Sequence, residues 1–80
     1  MIKEKITQDE FNLLDKYGVS LKHVANLVER DGEYFLQFES YDDFSTYLIF
    51  DIVEDGMDNQ DTVNDIGREL YAIHDRIYYE

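Results

Sequence analysis

The chain has 80 residues, with 19 Asp and Glu against seven Lys and Arg, a formal net charge of -12 at pH 7, and no cysteine or proline. That length allows one hydrophobic core, since so short a chain buries only about 60 % of its unfolded surface. Apolar residues at 44 %, including seven Tyr and five Phe, exclude a disordered acidic tail.

The missing cysteine excludes disulfides and thiolate metal sites and makes the reducing cytoplasm the expected compartment. The segment Met1-Ile2-Lys3-Glu4-Lys5-Ile6 carries two lysines with no apolar run behind them. No stretch approaches the roughly 18 apolar residues a membrane span needs, so neither export nor anchoring is expected.

The first helix is signalled by Thr7-Gln8-Asp9-Glu10, a capping box in which the Thr7 hydroxyl accepts from the Glu10 amide and the Glu10 side chain reaches back. Phe11, Leu14 and Leu13 then turn to the core, and Tyr17-Gly18 closes the helix, with Gly18 expected in the left-handed conformation. Residues 19–30 fit a helical face about as well as a strand, through Leu21, Val24, Leu27 and Val28. Asp31-Gly32 favours the strand, because Asp-Gly between two apolar-rich runs is a two-residue hairpin signal. In that register Arg30 faces Glu33 and Leu27 faces Leu36; Ala25, Leu27, Tyr34, Leu36 and Phe38 share the core face, leaving Val28 and Phe35 on the other.

Ser40 can cap a second helix, with Asp42 and Asp43 in the first turn where the dipole favours carboxylates. Phe44, Leu48 and Ile52 repeat every fourth residue; Tyr47-Leu48-Ile49-Phe50 would also serve as a strand, and the helix is preferred. Residues 54–60 read as a polar loop around Gly56. From an Asp61 or Thr62 cap, Val63, Ile66, Leu70, Ile73 and Ile77 recur at spacings of three and four and define an amphipathic C-terminal helix. The expected fold is therefore one α+β domain over residues 1–80, in the order α-β-β-α-α, with a single hairpin packed against helices.

Between Arg30 and Arg68 there is no Lys or Arg, yet that stretch carries Asp31, Glu33, Glu39, Asp42, Asp43, Asp51, Glu54, Asp55, Asp58, Asp61 and Asp65. Carboxylates without local counter-charge repel one another and cost stability. One reading is an acidic surface that imitates the phosphates of a nucleic acid and occupies the basic groove of a protein that binds one, through Glu39, Asp42, Asp43, Asp51, Glu54, Asp55, Asp58, Asp61 and Asp65. The other is a solvated acidic surface that only keeps the chain soluble. The partner expected on the first reading is a basic protein, with no direct contact to nucleic acid or membrane.

Other constellations carry less. With Gly56 at the sixth place of a calcium loop, Asp51 falls first, but Val53 falls third and Thr62 twelfth, where an oxygen ligand and a bidentate Glu are required. His23 and His74 show no metal or nucleophile spacing, and the four glycines are isolated and form no phosphate cradle. Neither a metal, a cofactor nor catalysis is expected. Tyr41, Tyr78 and Tyr79, with Tyr71, offer rigid aromatic contact area, which leaves open an adaptor that docks through its C-terminal helix.

In size, charge, absence of cysteine and proline, and helix, hairpin, two-helix order, the chain resembles the small acidic inhibitors encoded by phages, including anti-CRISPR proteins and other DNA mimics; the acidic stretch from Glu39 to Asp65 carries the resemblance. It implies an inhibitor that blocks the DNA-binding groove of a nuclease, for example the site that reads the short motif beside a target.

Overall fold

The computed structural model describes residues 1–58 and 62–79, with the backbone alone at 57, 58, 62 and 63. Elements follow in the order β1 (Ile2–Ile6), α1 (Gln8–Tyr17), a 3₁₀ turn (Leu21–His23), β2 (Ala25–Arg30), β3 (Glu33–Phe38), α2 (Tyr41–Asp55), β4 (Met57–Asp58), β5 (Thr62–Val63) and α3 (Asp65–Tyr79). The α+β architecture is the one the sequence implies, with a hairpin sheet covered by helices.

Local chemistry accounts for the boundaries. Thr7 Oγ1 accepts from the Glu10 amide at 3.1 Å while the Thr7 amide donates to Glu10 Oε1 at 2.9 Å, so the capping box is complete. Asp31 and Gly32 both adopt positive φ, 55° and 79°, as a two-residue turn of the primed type requires. The hairpin pairs Arg30 with Glu33 and Leu27 with Leu36, the expected register. Ser40 Oγ caps α2 by accepting from the Asp43 amide at 3.4 Å.

Several features differ from the sequence reading. Residues 2–6 form a third strand, β1, antiparallel to β3, so the sheet order is β1-β3-β2. Three consecutive charged residues, Lys3, Glu4 and Lys5, separate Ile2 from Ile6, so no two-residue apolar alternation marks the strand in the sequence. Gly18 has φ -84° and is not left-handed. Glycine is needed there because a Cβ would lie 2.5 Å from the Leu14 carbonyl oxygen. The run expected as a loop includes the end of α2, which continues to Asp55, and β4, which pairs with β5. The last helix starts at Asp65 instead of after Asp61 or Thr62, and Asn64 is its cap, accepting from the Gly67 amide at 2.9 Å.

One face of the sheet holds Ile2, Ile6, Ala25, Leu27, Tyr34, Leu36 and Phe38 against the helices. Phe44 of α2 stacks on Phe38 at 5.0 Å, and Leu48, Ile52, Leu14, Leu21, Leu70, Ile73 and Ile77 complete the core. The other face of the sheet presents Lys3, Lys5, Val28 and Phe35, with the Lys3 ammonium 4.2 Å from the centre of the Phe35 ring. Among the described residues no helix is long and apolar enough to cross a membrane.

Candidate functional site

The acids singled out in the sequence do not form one face. Asp51 is fully buried: its carboxylate accepts from the Ser20 amide at 2.8 Å and the Leu21 amide at 2.9 Å, and so ties α2 to the start of the 3₁₀ turn. It cannot touch a partner and leaves the candidate set, because a carboxylate that satisfies two backbone donors in the interior is part of the scaffold. Asp61 and the side chain of Asp58 lie outside the described residues. Asp65 stands on the first turn of α3 and pairs with Arg68 at 3.2 Å, both well exposed. Glu39 is exposed just before α2. Asp42, Asp43, Glu54 and Asp55, all exposed, occupy the two ends of α2 itself.

The middle of α2 holds what the sequence reading missed. Phe44, Leu48, Asp51 and Ile52 face inward. By the helical period the opposite side carries Asp42, Asp43, Thr46, Ile49, Phe50, Val53 and Glu54. On it Ile49, Phe50 and Val53 are 38 %, 50 % and 50 % exposed. Tyr47 meets Phe50 edge to face at 5.8 Å between ring centres. The outer side of α2 is thus an apolar ridge with carboxylates at either end, about 18 Å apart at 1.5 Å per residue.

Four of the seven cations are paired with acids outside α2. Lys5 pairs with Glu33, Lys22 with Asp15 and Arg68 with Asp65, while Arg76 donates to both oxygens of Glu10 at 2.7 Å. Among the described residues, no ion pair reaches Asp42, Asp43, Glu54 or Asp55.

Two candidate tyrosines are already bonded to acids: Tyr41 donates to Glu4 at 3.3 Å and Tyr78 to Asp42 at 3.1 Å. Both phenols titrate above the usual tyrosine range. For Tyr41 the main cause is loss of solvent, followed by the Glu4 charge; for Tyr78 it is the hydrogen bond to Asp42, followed by the charge of that carboxylate. Tyr79 is 73 % exposed, whereas the apolar side of α3, with Leu70, Ile73 and Ile77, is used up in the core.

His74, which shows no metal or nucleophile spacing in the sequence, is buried. Ser45 Oγ lies 2.6 Å from its Nε2 and Asp75 Oδ1 3.1 Å from its Nδ1. The atoms are those of a nucleophile, base and orienting acid, but the setting is not. Ser45 sits inside α2 and the imidazole is stacked against Tyr78 at 5.4 Å. A cavity of about 210 Å³ lies elsewhere, between α1 and α3, lined by Asp9, Glu10, Leu13, Glu69, Ala72 and Ile73. The trio's chemistry is that of a satisfied polar bridge between α2 and α3. Among the described residues no group of three His, Cys, Asp or Glu side chains is placed to hold a metal.

Comparison with protein-family models, curated proteins and solved structures gives no match.

Proposed function

We propose that this is a non-catalytic binding protein whose acidic helical surface covers the basic surface of a protein partner, above all the groove of a nucleic-acid-binding protein or nuclease. The observation that carries the reading is the set Asp42, Asp43, Glu54 and Asp55, exposed on α2 with no ion pair to a cation of the chain among the described residues. A groove that binds nucleic acid already aligns Lys and Arg for phosphate, so it offers the complementary field. Steering by that field raises association rates and is weakened by salt.

Competition with nucleic acid then arises by covering the groove. A copy of the phosphate row would need charges every few ångströms, and α2 has an apolar centre between its acidic ends. The cysteine-free composition suits a reducing compartment such as the cytoplasm.

A pull-down from cytoplasmic lysate tests this, using the native chain and a variant with Asp42→Asn, Asp43→Asn, Glu54→Gln and Asp55→Asn. The expected result is a nucleic-acid-binding protein held by the native bait, released by moderate salt or duplex DNA, and lost from the variant. A partner held equally by both baits and indifferent to DNA would overturn the proposal.

A further inference from the structure

We infer that α2 engages its partner as a ridge: Ile49, Phe50 and Val53 pack into the apolar seam of a basic amphipathic helix, and Asp42, Asp43 and Glu54 fix the register against its Lys and Arg. This rests on the proposed reading of the acidic surface and names the chemistry of the partner.

Three observations lead there. First, α2 is apolar on both sides. A helix of that kind is normally enclosed, yet here the side bearing Ile49, Phe50 and Val53 is open to solvent. The spacing of 46, 49, 50 and 53 is that of helix-in-groove anchors. Second, the charges on α2 itself have one sign. A second copy packed across a two-fold axis would bring Asp42, Asp43 and Glu54 against one another, with no Lys or Arg between residues 31 and 67 to separate them. Complementarity therefore selects a basic partner over self-association. Third, the acids at the end of α2 are badly placed for the free protein. Glu54 and Asp55 occupy the last turn, where the dipole is negative, and no basic residue accompanies them. Cations brought by a partner would relieve that strain, and the ridge places them within reach.

The probes are two synthetic peptides of about 18 residues. One carries Lys and Leu at helical spacing; the other carries the same Lys with Gln in place of Leu. Each is titrated into the native ¹⁵N-labelled chain and into a Phe50→Ser, Val53→Ser variant, and amide shifts are followed. Both substituted side chains are exposed, so the variant's spectrum should remain that of the folded protein.

The expected result is tighter binding of the Lys/Leu peptide, amide shifts centred on Thr46, Ile49, Phe50 and Val53, and a loss of roughly tenfold to a hundredfold in the variant. Equal, variant-indifferent binding of the two peptides, or shifts mapped away from α2, would overturn the ridge and leave the acidic-surface reading standing. Binding of neither peptide to the native chain would overturn both.

Discussion

Replacing Asp51 by alanine removes the acceptor for two backbone donors at once, the amides of Ser20 at 2.8 Å and Leu21 at 2.9 Å. A hydrogen bond to a charged group contributes about 1.5–3 kcal/mol, and orphaning a buried donor costs about 1–3 kcal/mol. Leu21 is buried and Ser20 half-buried, so water can replace the acceptor at Ser20 more readily than at Leu21. The sum is about 3–5 kcal/mol, a large part of the ~4–12 kcal/mol expected for a domain of this length. Asp51→Asn keeps one carbonyl acceptor and turns an N–H toward the other donor, so it should cost about 2–3 kcal/mol. Urea unfolding followed by far-UV circular dichroism measures both. With an m-value of ~1 kcal/mol/M, the alanine variant should unfold about 3–5 M earlier than the native chain at unchanged m. A midpoint shift below about 0.5 M for alanine would refute the assignment of Asp51 to the scaffold and return it to the surface set.

A Cβ at Gly56 would lie 2.6 Å from the Gly67 Cα and 2.6 Å from the Ile52 carbonyl oxygen, so Gly56→Ala should lower stability in the same assay by about 1–3 kcal/mol by forcing α2 and α3 apart. Glu54→Gln removes a carboxylate from the negative end of α2 and should raise the stability of the free protein by about 0.3–1 kcal/mol at low salt, an effect that fades in thermal melts at high ionic strength. The Tyr78 phenol titrates higher in the folded chain than in the unfolded one, so the folded state holds its proton more tightly; that contribution is complete below the usual tyrosine range and disappears as pH rises through the folded value. Tyr78→Phe should therefore flatten the fall of the melting temperature above about pH 10, and an unchanged alkaline slope would count against the Tyr78–Asp42 bond.

Much of the fold was legible because local signals agreed with the tertiary structure. The Thr7 capping box, the Asp31-Gly32 turn and the spacing of Leu70, Ile73 and Ile77 each specify backbone chemistry that needs no distant partner. β1 is hidden because three charged residues separate its two isoleucines, so the strand is recognisable only once it is paired with β3. The candidate surface was half legible. Uncompensated charge between Arg30 and Arg68 can be counted in the sequence, but which carboxylate faces inward cannot, and Asp51 looks like its neighbours until the Ser20 and Leu21 amides are seen to bind it. Ile49, Phe50 and Val53 lie within the acidic stretch from Glu39 to Asp65. Projected on a helix, they fall opposite Phe44, Leu48 and Ile52, a signal available once that segment is assigned as helical.

The proposed role of the carboxylates at the ends of α2 is to hold a basic partner. The most direct test is the affinity of the captured partner for the native chain and for the variant with Asp42→Asn, Asp43→Asn and Glu54→Gln across a range of salt, with and without duplex DNA. Affinity should fall steeply with salt for the native chain and less steeply for the variant, and DNA should displace the partner. Identical slopes, with binding unaffected by DNA, would contradict that role.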